Sequence, residues 1–433
     1  IRMAALLHDI GHYPLSHLVE TCVKDDAKAK IKEKEKKDKK ILLVEENGED
    51  PIEGTNKLNE INFINSSDAH ISNQNLHNNR NNNFDHAHHE RIAGIVINKT
   101  PLKEILLEDG TFNEDDIRTI SQIIAGTYAG PESLIIHSEL DADRFDYLLR
   151  DSKRTGVNYG LFDMNQIIRN LKYLKDEGKL AVDEKAIKAV EQYLMCRYFF
   201  YTTVVYHKAT IGFEIMAKKV YEGLMERKMV MSYFDLIKIF DKGELDKYLN
   251  YDDSYFFDRL RGISQKKILL EKVEDPKIPD EFLLELIDKI VKREPLKKVL
   301  EKSKLVKKIT TSRKPENLDF VSNLFKKEVL SKGVKDYWFI ESTITESPTK
   351  ISPYVNFDSE NNNYGSEVAE ETIRILKTDI DDGIKKKEFL IKDESSIISI
   401  LGNYNLQIDR LYTKDEEYTK IIEEVYHNSK SNT

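Results

Sequence analysis

The residues best able to do chemistry together lie in one segment, His8-Asp9-Ile10-Gly11-His12-Tyr13-Pro14-Leu15-Ser16-His17. His8 and Asp9 sit at the end of an apolar stretch in which Met3, Leu6, Leu7 and Ile10 recur at helical spacing. Adjacent side chains there point about 100° apart around the axis, yet both reach one cation placed off the helix end. Imidazole with carboxylate suits Zn, Fe, Mn or Ni. A lone His-Asp pair arises by chance, whereas His8, His12 and His17 gathered around a glycine and a proline are much rarer. The other reading is a polar helix terminus with His12 and His17 exposed in the turn.

A second constellation is Asp141-Ala142-Asp143-Arg144-Phe145-Asp146-Tyr147-Leu148-Leu149-Arg150-Asp151. Leu140, Phe145, Leu148 and Leu149 give it an apolar side, and one of its carboxylates could close a metal site. Its competitor is a solvated face laced with Asp/Arg pairs at helical spacing.

The elements that must position these groups read as mainly α. Residues 1–23 form a helix and the turn after it, broken by Gly11 and Pro14. From Lys24 to about Asp85 the composition shifts to KDDAKAKIKEKEKKDKK, ILLVEE and SNQNLHNNRNNN, which cannot bury enough apolar surface to offset chain entropy. This reads as a loosely attached insertion, its Lys/Glu part a solvated helix and ILLVEE a strand or hairpin edge. From His86 to about Tyr221 the pattern is helical throughout, including one long helical segment from Asp183 through Ala217. Beyond Met231 come further helices, then strand-like runs such as DYWFIESTI and ESSIISIL. The expected architecture is an all-helical domain over 1–221, with the 24–85 insertion, followed by a helical and mixed α/β lobe over 222–433.

The run HDIGHYPLSH, then HHE, then DADRFDYLLRDS resembles the HD-domain dNTP triphosphohydrolase family. In that family HD-x-GH-x-P-x-SH, an HE helix start and a D-x-D-(K/R)-x-DY-x-x-RD segment follow in this order. The resemblance covers residues 1–23 and 86–220, with the first gap lengthened by the insertion. It implies a metal-dependent phosphohydrolase whose ligands are His8, Asp9 and Asp143. The family's fourth ligand, an upstream histidine, is absent from this sequence, and with Ile1 as first residue the chain is expected to be an N-terminal truncation.

By the same resemblance His89 protonates the leaving group or positions the attacking water, and Glu90 orients it. His12, His17 and Arg144 face the substrate phosphates, and Tyr147 with Asp151 recognises the sugar 3′-hydroxyl. His86 and His88 have no counterpart and read as surface residues. In CRYFFYTTVVYHK, Arg197 and the His207-Lys208 pair match residues that contact the triphosphate. On one continuous helix, positions 197, 204 and 208 share nearly one face, and an arginine fork with a lysine point charge suits a polyphosphate. Arg293 and Lys297 in IVKREPLKKVL resemble a nucleotide activator site between subunits, which implies a dimer or tetramer. A solvated basic face is the simpler account of that run.

The substrate so implied is a deoxynucleoside triphosphate, cleaved to deoxynucleoside and triphosphate with a divalent transition metal and Mg accompanying the substrate. The rivals are another HD phosphohydrolase (nucleotidase, phosphodiesterase or guanosine polyphosphate hydrolase) and a non-catalytic nucleotide sensor. Tyr147 with Asp151, and Arg197 with His207-Lys208, favour the triphosphohydrolase. The intact His8, Asp9, His89 and Asp143 favour an enzyme.

Bulk properties set outer bounds. The net charge of −9 over 433 residues argues against broad nucleic-acid binding, which needs clustered Lys and Arg. No apolar run approaches the roughly 18 residues of a membrane span. Cys22 and Cys196 are too few for a disulfide framework, so a reducing cytoplasm is the expected compartment.

Overall fold

Helices with apolar stripes build the frame around the histidine segment, as seen in a computed structural model that describes residues 1–46, 87–108, 110–128, 130–174, 179–307, 321–346, 373–379, 385–390 and 404–431. In chain order the first helices are α1 (Arg2–Leu7), α2 (His17–Glu46), α3 (His89–Lys99), α4 (Leu102–Glu108), α5 (Glu114–Ile124), α6 (Ala142–Thr155) and α7 (Met164–Arg169). Strands β1 (Leu171–Leu174) and β2 (Lys179–Asp183) follow, then α8 (Ile187–Phe200), α9 (Lys208–Glu226), α10 (Tyr233–Lys242), α11 (Leu245–Leu249), α12 (Asp253–Ser264) and α13 (Asp280–Lys292). The remainder alternates: β3 (Lys297–Lys307), α14 (Asn323–Ser331), β4 (Ile340–Glu346), β5 (Arg374–Asp379), β6 (Lys385–Leu390), β7 (Tyr404–Thr413) and α15 (Glu416–Ser431). The fold is mainly α.

Local signals account for the helix ends. Asn113 and Asp116 form a reciprocal capping box at the start of α5, and Ile117, Ile120, Ile123 and Ile124 then bury one stripe against α1 and α3. At α6 the buried Asp141 side chain accepts the Arg144 N–H, and Gly156 ends the helix with φ 72°, a left-handed position that glycine occupies without steric cost. The largest core spans α2, α3, α9, α10, α12 and α13 and reaches Trp338, Ile340 and Tyr412. Helix α9 runs through residue 221, so the core is continuous across the expected lobe boundary there.

Several sequence expectations are corrected. The helical region contains the antiparallel pair β1–β2, and β2 pairs in parallel with β5, giving the order β1-β2-β5-β6. Strands of only four and five residues carry little periodic signal of their own, and the partner β5 comes from far along the chain. Helix α2 continues through Ile41–Glu46, so the ILLVEE run is helical: its backbone bonds are satisfied within the helix, where a strand would need a neighbour. In DYWFIESTI, Asp336–Trp338 is a short 3-10 turn and only Ile340 onward is strand. The polar run after residue 46, His86 and ESSIISIL lie outside the described residues.

The second sheet has the order β3-β7-β4, all antiparallel, with β7 at its centre. Its outer face packs on α14 and α15 through Leu411, Phe325, Val329, Ile422 and Val425. Tyr412 faces the other way, into the α9 and α13 core. Arg410, also on that inner side, is nearly buried; its Nε donates to Glu301 at 2.7 Å and its Nη1 to the Tyr206 carbonyl at 2.6 Å. No described helix is long and apolar enough to cross a membrane. Removing a buried, doubly bonded guanidinium forfeits charge-assisted bonds, so Arg410→Ala is expected to lower unfolding stability by about 2 kcal/mol in urea titration.

Candidate active site

Helix α1 ends at His8, whose Nδ1 lies 2.8 Å from the Ala5 carbonyl. A carbonyl only accepts, so Nδ1 carries a proton and Nε2 is the ring nitrogen that faces the two carboxylates. That Nε2 lies 3.2 Å from Asp9 Oδ1 and 3.8 Å from Asp143 Oδ1. Asp143 comes from the first turn of α6, aimed by the buried Asp141 cap. One imidazole and two carboxylates, from the end of α1 and the start of α6, are donors of the kind that could hold a divalent transition metal, as could the adjacent group His12, His17, Glu20 and His89. In the protein alone the Asp143 carboxylate is the largest influence and raises the His8 pKa to about 9, against the opposing effect of burial. The His12 contact holds Asp9 below its usual range.

Beside this triad His12, His17, His88 and His89 pack around one carboxylate, Glu20, on the first turn of α2. The His12 and His89 rings stack at 3.9 Å and 11°, and His88 stacks on His89 at 4.4 Å. Glu20 is only 4% exposed. Its oxygens lie 2.8 Å from His89 Nδ1, 2.6 Å from Lys24 Nζ, 3.4 Å from His17 Nδ1 and 3.8 Å from His88 Nε2. Burial alone would favour the neutral acid, but the donations of His17, His89 and Lys24 together outweigh it and hold the carboxyl far below its ordinary range.

These contacts differentiate the histidines. For His89 burial is the largest influence and lowers its pKa, with the Glu20 hydrogen bond opposing. It is therefore a neutral imidazole that donates from Nδ1 and keeps Nε2 as an acceptor. For His17 the Glu20 hydrogen bond dominates and raises the pKa. Its side chain is largely solvent-facing, whereas that of His89 is buried. His12 bridges the halves of the site, with Nε2 at 3.3 Å from Asp9 Oδ1 and Nδ1 at 3.2 Å from Ser16 Oγ.

The loop between α1 and α2 makes this convergence possible. A Cβ on Gly11 would fall 2.0 Å from the His89 carbonyl oxygen and 2.3 Å from Ala93 N, so only glycine lets the loop lie on the start of α3. Leu15 and Ser16 then turn with φ 57° and 54°, a conformation that costs a side-chain-bearing residue roughly 1–2 kcal/mol.

Along α6, Asp143, Tyr147 and Asp151 are spaced one turn apart on one face. Tyr147 Oη lies 3.1 Å from Tyr201 Oη, and the Arg197 guanidinium sits over the Tyr201 ring at 4.9 Å. The expected continuous helix through Arg197, Val204 and Lys208 is not observed. It is interrupted by a π-helical turn at Tyr201–Val205 and by extended backbone at His207, which caps α9 by accepting the Ala209 N–H. The extra residue of the π turn changes the facing of everything after it, so the shared-face argument fails, although His207 and Lys208 still project from the start of α9. The Tyr412 hydroxyl donates to the Lys208 carbonyl at 3.1 Å, so β7 anchors this start.

Other roles also change. The carboxylate that orients His89 is Glu20; Glu90 instead lies 3.5 Å from His88 Nδ1 and 3.5 Å from His137 Nδ1. His88 is half-buried and caps α3, its Nδ1 accepting the Glu90 N–H. One end of the Arg144 guanidinium is bonded to Asp141 and to the Ser138 carbonyl, so it braces the α6 cap. Burial outweighs that guanidinium at Asp141 and pushes its carboxyl up to about 6. Lys297 pairs with Glu416 at 2.7 Å, and Arg293 ends α13 with a left-handed backbone. Glu20, Tyr201 and His137 were not anticipated. For Glu20 the available signal was its place three residues after His17, on the next helical turn.

Residues 162–273 match the family described as the HD associated region. An uncharacterized Bacillus subtilis protein, YwfO, is 30% identical over 182 residues, which cover 39% of this chain and 40% of the relative. An uncharacterized Methanocaldococcus jannaschii protein is 33% identical over 132 residues, covering 30% of this chain and 29% of the relative. The chain thus spans less than half the length of these curated relatives. The fold is shared with a solved phosphohydrolase from Bacteroides thetaiotaomicron, at 18% identity and TM-score 0.53 over 95% of this chain and 78% of that one. A hypothetical protein from Aquifex aeolicus has it too, at 22% identity and TM-score 0.52 over 78% and 72%.

Gly11→Ala is expected to reduce stability by about 1–3 kcal/mol through overpacking, checked by thermal or urea unfolding. Glu20 gives the stability a pH dependence of known sign. Its folded pKa is depressed below the ordinary glutamate value of 4.5, so its contribution is complete above that value and is lost as the pH falls towards the folded pKa. As the pH falls below roughly 4.5 the native chain should therefore lose stability more steeply than Glu20→Gln, as read by urea unfolding at each pH.

Proposed function

We propose that this chain is a metal-dependent phosphohydrolase of the HD type, with a deoxynucleoside triphosphate as substrate and deoxynucleoside and triphosphate as products. The observation that carries the reading is the convergence of His8, Asp9 and Asp143, with the Glu20–His89 pair beside them. The HD-associated match and the fold shared with a phosphohydrolase support the class. The motif resemblance supports the substrate.

His8, Asp9 and Asp143 would hold the metal, which when bound supplies Lewis-acid polarisation of a phosphoryl oxygen. The chain's own groups divide the remaining work according to their protonation. Neutral His89, fixed by Glu20, offers Nε2 as the acceptor that orients a water and takes its proton. Cationic His17 offsets phosphate charge and is the group with a proton to give to the leaving 5′-oxygen. Lys208 and His207 at the start of α9, with Arg197, stand for the triphosphate end. Tyr147 and Asp151, farther along the face that carries Asp143, stand for the sugar, where an unpaired polar group would penalise a substrate lacking the hydroxyl. Arg293 and Lys297 stand for an activator site in an oligomer.

Product chromatography on a panel of nucleotides tests this directly. Triphosphate with nucleoside is the expected outcome, and inorganic phosphate or pyrophosphate in its place overturns the substrate assignment. Asp143→Ala should remove most bound metal and lower turnover by at least about a hundredfold, whereas Glu20→Gln should keep the metal and lower turnover by about 10²–10⁴-fold. Metal content is read by elemental analysis. Turnover undiminished by Asp143→Ala would refute the metal-dependent reading.

A further inference from the structure

The histidine loop turns on Leu15 and Ser16, consecutive non-glycine residues with φ 57° and 54°. Residues with a Cβ seldom occupy this region singly, and a pair persists only where the surroundings over-determine it. Two groups from far along the chain do so. Asp253 Oδ1 accepts the Leu15 N–H at 2.7 Å, and the Tyr248 hydroxyl donates to the Ile10 carbonyl at 2.5 Å. They bracket the loop, one bond before His12 and the other between Pro14 and His17. The Asp253 bond is of the stronger, charge-assisted kind.

Both anchors are themselves fixed. Asp253 opens α12, whose N-cap Asp252 accepts the Tyr255 N–H at 2.9 Å, and Phe256, Leu260 and Ile263 bury that helix in the core that also holds Tyr13. Tyr248 lies on α11, its ring 4.9 Å from that of Phe240. Tyr248 and Asp253 both fall within the HD-associated segment, residues 162–273.

We propose that this segment clamps the histidine loop. Asp253, aided by Tyr248, is a positioning residue that holds Leu15 and Ser16 left-handed and thereby sets His12 against His89 and His17 against Glu20. Ser16 Oγ, 3.2 Å from His12 Nδ1, links the turn to the ring stack. His8, Asp9 and Asp143 lie outside the turn, so metal binding is independent of the clamp. Only the turnover part of the test rests on the phosphohydrolase reading.

The experiment compares the full chain, Asp253→Ala, and Asp253→Ala combined with Leu15→Gly, by peptide-level amide hydrogen exchange, metal content and dNTP turnover. Asp253→Ala should speed exchange in residues 12–18 by about tenfold or more, with α9 unchanged and metal content retained. It should lower kcat by about 10- to 100-fold with KM within about twofold. Glycine occupies the left-handed region freely, so Leu15→Gly in that background should recover several-fold of the lost kcat. Unchanged exchange in residues 12–18, or a rise spread equally over the chain, overturns the clamp. Faster local exchange with undiminished kcat, or no recovery with Leu15→Gly, overturns its positioning role. If the native chain turns over no phosphate substrate, the phosphohydrolase reading fails, while the exchange result still decides whether the clamp exists.

Discussion

An ionised carboxylate almost out of reach of water must be surrounded by donors, and at Glu20 that requirement organises the whole site. Lys24, one helical turn later, supplies one donor from the same helix. The others are imidazoles: His17 from the start of α2 and His89 from the start of α3, with His88 at its edge. Because Glu20 only accepts, it fixes the tautomer of His89 and leaves Nε2 as the available acceptor. The same carboxylate stabilises the charged form of His17 in the more exposed position. Two histidines that share one partner thus have pKa values shifted in opposite directions, the more buried one downward.

Bringing two helix starts so close demands a loop that both approaches tightly and reverses within a few residues. Gly11 provides the approach, since any Cβ would overlap the first turn of α3. The reversal at Leu15 and Ser16 is unfavourable locally and is stabilised from α11 and α12. A similar division holds on the other side of the site. The π turn and the break at His207 interrupt a helix, and Arg410 and Tyr412 of β7 satisfy the carbonyls of Tyr206 and Lys208 there. Irregular backbone near the site is in both cases matched by hydrogen bonds from more regular elements remote in sequence.

The helical character of the chain was legible in the stripes of α5 and α6, and the proposed ligands His8, Asp9 and Asp143 in their types and order. Less legible were features whose cause lies in a distant partner. The pair β1–β2 extends into a sheet only through β5, and nothing in CRYFFYTTVVYHK marks where the helix gives way to a π turn. Glu90 stands next to His89 in sequence, but successive helical residues point about 100° apart, so its carboxylate meets His88 and His137 instead. Glu20 follows His17 by a single turn, yet what makes it matter is contact with a residue on another helix.

The sequence by itself determined the inventory: which residues could bind a metal, which could exchange protons, and a mainly α frame to carry them. These follow from residue type and short-range periodicity, which act over a few positions of the chain. Tertiary structure alone decided which carboxylate serves which imidazole, in which direction each histidine's pKa is shifted, and which remote groups hold the loop in its strained turn. Those outcomes depend on burial and on distances of a few ångströms between segments far apart in the chain, quantities that exist only once the helices have packed.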